Sequence, residues 1–350
     1  PQGLRRPFFG AIVASWVPMG VYFIASNNPS SWAVSGLMAY SSATYMATQQ
    51  KGRRRIALVL CAVIGAVMCL TSRYDAAFFL LVVGLALLFA VPWKRGGWIG
   101  LTALAGVALL GVGTFMASSQ VSKVAYFLRV FEASDPAKSA DKQPFFEKLL
   151  VGLETAPKYL GGFWGHTWTP GWHDVPLGAR APYVLTIMAA GAFVAVGLRR
   201  GGWRKWTALA IIAGSMVLLP ALFYANGAMD TIELYQARYI FPLLAPTFFL
   251  MLAVDQDEGA WFTVPQAVWV TVFISLCQTI TLHTLLLRFV QGAQERWELD
   301  LNKHIEWWWS APVSPMMVWF LTTCFATAAL GTAIAMLTRT AEKHEATQHS

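Results

Sequence analysis

Ten apolar runs, none containing Asp, Glu, Lys or Arg, divide this chain: 8–24, 32–48, 56–71, 76–92, 98–116, 182–198, 206–224, 239–254, 264–286 and 314–336. At 1.5 Å rise per residue, about twenty such residues cross roughly 30 Å of hydrocarbon as a helix. A charge held at the centre of a span costs at least about 2.5–3.5 kcal/mol, so charge-free runs are what a bilayer selects. Only 13% of the 350 residues are charged, against about a quarter in an ordinary soluble domain. That excludes a soluble globule, and the lack of any Gly period and the four Cys exclude collagen and a disulfide scaffold. The expected class is an all-α integral membrane protein of about ten transmembrane helices, forming one domain over 1–350. Pro1 stands where a start Met would, so an N-terminal portion is expected to precede it.

Basic residues between the runs assign the orientation. Fourteen Lys and Arg fall in the segments on one side: Arg5, Arg6, Lys51, Arg53, Arg54, Arg55, Lys94, Arg95, Arg199, Arg200, Arg204, Lys205, Arg339 and Lys343. The short segments on the other side hold five: Arg73, Arg238, Arg288, Arg296 and Lys303. The positive-inside rule then places both chain ends on the cytoplasmic side of the membrane. The net charge of +8 therefore reports topology, and its dispersal over several tight turns argues against nucleic acid as a partner. Long segments, 117–181 and 287–313, fall on the extracytoplasmic side, where function is expected. Apolar spacing over 119–132 and 144–154 predicts amphipathic surface helices, and Trp297, Leu301, Ile305 and Trp308 predict another. All four Cys fall within apolar runs, so neither disulfide nor thiol chemistry is expected.

Chemistry is expected at polar groups on the outer boundary. Ser72-Arg73-Tyr74-Asp75 joins two runs through a short hairpin, and Asp230, Glu233, Tyr235, Gln236 and Arg238 precede a run broken by Pro242 and Pro246. Arg grips a phosphate bidentately, and a carboxylate can take a proton from a hydroxyl. Asp75, Asp230 and Glu233 are the candidate bases or metal ligands, and Arg73 and Arg238 the candidate phosphate holders. Mutual neutralisation of Arg73 and Asp75 at the interface is the plainer reading of the hairpin. The stretch 161–182 is rich in Gly, Trp and Pro; its Trp172 and Asp174, with Tyr235 and Gln236, suit a sugar, although Trp also marks the membrane boundary by itself. His166, His173 and Asp174 have no spacing that fixes a metal geometry. His283 is the strongest ionisable candidate within a run.

Asn28-Pro29-Ser30-Ser31-Trp32, Ser72-Arg73-x-Asp75, Gly171-Trp172-x-Asp174 with Pro176-Leu177, and Gln236-x-Arg238-Tyr239-x-x-Pro242-Leu243 occur in that order. In this the chain resembles a bacterial family of predicted polytopic membrane proteins, known as a domain of unknown function, which resembles the GT-C superfamily of membrane glycosyltransferases. The resemblance implies a helical bundle moving a sugar from a polyprenyl-phosphate donor to an envelope glycan acceptor, with a divalent cation such as Mg or Mn as a compatible cofactor. Such enzymes keep a carboxylate in the first outer loop, whereas Ser26 to Ser31 contain no acid. The alternatives are a transporter or flippase of an envelope lipid or glycan, and a non-catalytic subunit that positions partner membrane subunits.

Overall fold

The computed structural model describes residues 2–93, 98, 99, 102, 105, 106, 144–164, 175, 180–227, 231, 232, 235–254, 262–292, 298–310 and 312–338. The ordered elements among them are all helical. In chain order they are α1 (Gln2–Ala14), α2 (Pro18–Ala25), α3 (Pro29–Ala47), α4 (Gly52–Ser72) and α5 (Tyr74–Ala90). Then come α6 (Phe145–Glu154), α7 (Ala156–Gly161), α8 (Arg180–Gly197), α9 (Trp203–Ala225), α10 (Leu244–Ala253), α11 (Val264–Gln291) and α12 (Pro315–Thr338).

The expectation of about ten transmembrane helices is overturned. Among the described residues four helices are long and apolar enough to cross a membrane: α4, α9, α11 and the segment Pro315–Ala335 of α12. A fifth is added if α1 and α2 together count as one span. Hydropathy averages over a run, whereas a span needs a continuous hydrogen-bonded helix. The run 8–24 breaks before Pro18, whose ring lacks an N–H, and its two halves lie 97° apart. The run 239–254 divides into two 3-10 turns, Ala237–Tyr239 and Phe241–Leu243, followed by the ten residues of α10. The apolar helices Asp75–Ala90 and Ala181–Gly197 are short of the required length. Most of 98–116 and all of 119–132 lie outside the described residues.

The chain is nonetheless a multi-pass membrane protein by its packing. Ile56, Leu60, Val63, Ile64 and Val67 stand exposed along α4, and Phe320 and Phe325 along α12. Such apolar faces are at home in lipid and would associate in water. Inside, α10 is apolar and buried along nearly its whole length, as a helix at the centre of a bundle should be. The α3–α4 pair closes through glycine: a Cβ added at Gly36 would stand 2.6 Å from Gly65 O, and one at Gly65 2.6 Å from Gly36 O. Small residues permit this approach, which maximises dispersion where lipid leaves no hydrophobic drive between helices. The break between α1 and α2 is answered by α11, where Gln278 Nε2 donates to Trp16 O at 2.8 Å.

Of the expected surface helices, α6 forms. It lays Gly152 against the Ala221 backbone of α9 and leaves Phe145, Phe146 and Leu150 facing outward. The helix expected around Leu301, Ile305 and Trp308 does not form; 298–310 is turn and extended chain, and Trp297 lies outside the described residues. Its carbonyls are engaged by α11 instead: His283 Nε2 donates to Leu299 O at 3.0 Å, and Gln291 Nε2 to Lys303 O at 2.7 Å. Gly292 makes this return possible, with φ at 76° and no room for a Cβ beside the Glu306 carboxylate.

Candidate functional site

The hairpin between α4 and α5 turns on Arg73, whose extended backbone (φ −152°, ψ 146°) ends one helix and starts the other. Asp75 lies in the first turn of α5, where a carboxylate complements the exposed N–H groups. Arg73 Nε donates to Asp75 Oδ1 at 2.8 Å, and Nη2 pairs with Oδ2, a bidentate contact. The remaining nitrogen, Nη1, donates to Ser30 Oγ at 2.8 Å. Ser30 opens α3, where the Asn28 side chain caps the helix by accepting from Ser30 N at 2.9 Å. The first two motifs of the chain thus meet, and Arg73 ties the hairpin to α3.

The second half of the site comes from the chain approaching α10. Gln236 is extended and leads into the 3-10 turn Ala237–Tyr239, and Pro242 lies in the next 3-10 turn. These turns bring the Tyr239 ring against the hairpin. Arg73 Cζ stands 5.0 Å from its centroid and Arg238 Cζ 5.2 Å from it, so the two guanidinium groups share one aromatic platform. Arg238 Nη2 also donates to the Tyr239 hydroxyl, at 3.4 Å. Tyr235 is buried beside this ring, its centroid 5.8 Å from that of Tyr239 and 5.5 Å from that of Tyr159. Burial, and after it the Asp75 carboxylate, push the Tyr235 phenol above its ordinary range, so it stays neutral.

Three polar atoms around these turns are buried without a hydrogen-bond partner among the described residues: Arg238 Nε, Gln236 Oε1 and Trp164 Nε1. Trp164 ends the 3-10 turn Gly162–Trp164, which packs on the turn Ala237–Tyr239. A buried group left unpaired costs about 1–3 kcal/mol, and structures retain such groups sparingly. Arg73 is satisfied; Arg238 is not.

Of the residues singled out from the sequence, Arg73, Asp75, Tyr235, Gln236 and Arg238 gather at one end of the bundle. Asp230, Glu233, Trp172, Asp174, His166 and His173 lie outside the described residues. Among the described residues no group of three His, Cys, Asp or Glu side chains could hold a metal ion. Asp75 has both oxygens engaged by Arg73. The sequence motifs contain Ser30 and Tyr239, and Trp164 lies in the Gly-, Trp- and Pro-rich stretch, but none of the three has a role assigned from sequence; the Asn-Pro-Ser start of a capped helix was the signal available for Ser30.

A family model described as a predicted membrane protein (DUF2142) matches residues 4–247, from α1 into α10, and so takes in every element of the site. Comparison with curated proteins finds no match, and comparison with solved structures finds none. Nothing in these comparisons ties the chain to the GT-C superfamily in particular. With a match over more than half its length, the chain belongs to the DUF2142 family of predicted membrane proteins.

Proposed function

We propose that this membrane protein is a glycosyltransferase that takes a sugar from a polyprenyl-phosphate donor, on the extracytoplasmic side, and passes it to an envelope glycan. One observation supports this above the others: two guanidinium groups share the Tyr239 ring, and one of them, Arg238, keeps a buried Nε with no acceptor among the described residues. A phosphate oxygen supplies the acceptor that this nitrogen lacks. In the reaction an acceptor hydroxyl attacks the anomeric carbon, the bond from that carbon to the phosphate oxygen breaks, and the leaving phosphate keeps the electron pair. Arg238 stabilises the charge that develops there. The hydroxyl proton passes to a carboxylate. Asp75 is committed to Arg73, so this role falls to Asp230 or Glu233, close to Arg238 in the chain. Gln236 and Tyr235 orient the sugar.

The test is transfer by the full chain in nanodiscs, with a polyprenyl-phosphate sugar as donor. Arg238→Ala should lower kcat/KM about 100-fold, the usual scale for removing one donor to a developing oxyanion. Undiminished turnover would remove Arg238 from the reaction.

The bend between α1 and α2 favours a second reading, a lipid or glycan flippase. Broken helices in transporters put backbone groups at a substrate path, and here the break is held by Gln278 from the middle of α11. That reading requires a fluorescent lipid phosphate to change leaflet in proteoliposomes with no covalent change.

A further inference from the structure

We propose that Tyr239 is a ligand-contacting residue, its hydroxyl donating to the same phosphate group that Arg238 holds while its ring sets the position of both guanidinium groups. The inference rests on the reading of Arg238 as an anion holder. It deepens that reading by adding a neutral donor beside the cation that holds the phosphate.

The geometry divides the donors at this end of the bundle. Each of the three Arg73 nitrogens is engaged, two by Asp75 and one by Ser30. Arg238 has one partner among the described residues, the Tyr239 hydroxyl at 3.4 Å, and its Nε has none. A separation of 3.4 Å is long for a charge-assisted bond, so a ligand oxygen displaces it at little cost. A hydroxyl has one hydrogen and two lone pairs. In accepting from Arg238, Tyr239 Oη uses a lone pair, and its hydrogen meets no acceptor among the described residues. The Tyr239 O–H therefore stands beside Arg238 Nη2, whose long bond to the phenol oxygen a ligand oxygen can take over. An anion with at least two oxygens on one centre takes both. The ring holds this pair to Arg73, and through Arg73 to α3, so that the seat for the anion is built before the ligand arrives.

The phosphate can come from a lipid headgroup or from the free anion, and two probes separate these sources: decyl phosphate and inorganic phosphate, each titrated by calorimetry onto the full chain in phosphatidylcholine nanodiscs. Tyr239→Phe keeps the ring and removes the hydroxyl. It should weaken binding about tenfold with an unchanged thermal midpoint, since a hydrogen bond to a charged group carries about that factor. Tyr239→Leu removes the platform as well and should weaken binding further, about 100-fold in all. If the Leu variant does not fold, the Phe variant decides alone. Stronger binding of decyl phosphate assigns the seat to a lipid headgroup and equal binding assigns it to the free anion; either supports the contact when the Phe variant loses affinity. Native affinity in Tyr239→Phe, with binding lost in Arg238→Ala, overturns the role of Tyr239 and leaves the parent reading standing. Should the native chain bind neither probe, or Arg238→Ala bind like the native chain, the parent reading falls and the Tyr239 contact with it.

Discussion

Lys205 and Arg238 are both cations with buried donors, placed toward opposite ends of the bundle, and their donors are spent differently. Lys205 follows the turn from α8 to α9 and is fully buried, yet its Nζ donates to Gly197 O at 2.6 Å and to Arg200 O at 2.7 Å. Those carbonyls belong to the end of α8 and the turn beyond it, where helix geometry leaves acceptors unpaired and the dipole attracts a cation. The fit is close: a Cβ at Gly201 would stand 2.6 Å from Lys205 Cδ. Arg238 lies in a short 3-10 turn, meets a phenol at 3.4 Å, and has no acceptor for Nε among the described residues. A cation whose donors end on backbone serves the fold. One with a donor left over is what the proposed phosphate contact draws on.

Three substitutions separate these roles. Lys205→Met keeps the volume and removes the charge, and with it the hydrogen bonds that the buried Nζ gives to the Gly197 and Arg200 carbonyls. The loss should be about 3 kcal/mol, read as a fall in the denaturation midpoint of the full chain in micelles. Binding of decyl phosphate by the molecules that remain folded should be unchanged. A stable Lys205→Met would break the comparison at its structural end.

Arg73→Met comes next. It strands the Asp75 carboxylate, which is only partly buried so that water recovers some of the cost, and the Ser30 hydroxyl, which is buried. The expected loss is about 1–2 kcal/mol, between that of an exposed pair and that of a sealed one. Adding Asp75→Ala should restore part of it, because the stranded carboxylate is then gone; a double-mutant cycle reads that coupling. No recovery would mean that the pair does not fasten the hairpin.

The same contrast explains what could be read beforehand. Charge-free runs located α4, α9, α11 and α12 to within a few residues, because a bilayer rejects charge along a whole span, and α3, α5 and α8 fall on such runs without meeting the length and hydropathy of a span. They did not reveal the bend before Pro18 or the 3-10 turns before α10, since mean hydropathy carries no information about backbone hydrogen bonds. Hence the excess in the expected number of spans. Arg73 with Asp75 was legible as a local pair, and Arg238 as a cation crowded by polar neighbours. The burial of Lys205 was not, because its acceptors are carbonyls that every residue possesses. Nor was the Tyr239 platform: the ring lies next to Arg238 in the chain, but its contact with Arg73 depends on tertiary packing.

Arg238→Met should have the smallest effect on stability and a large one on binding, and that divergence tests the comparison most sharply. The substitution removes an attraction to the Tyr239 ring and a long hydrogen bond to its hydroxyl, each a modest contribution. It also removes a buried Nε that has no acceptor, which is a cost to the native fold. Methionine occupies similar space without that cost. Gains and losses of similar size should leave stability within about 0.5 kcal/mol of the native chain, the range of substitutions away from satisfied networks. Decyl phosphate binding should nevertheless be lost. A fall in stability as large as that of Lys205→Met would mean that Arg238 is held in the native fold as firmly as the lysine, and its unspent donors would no longer mark a place for a ligand.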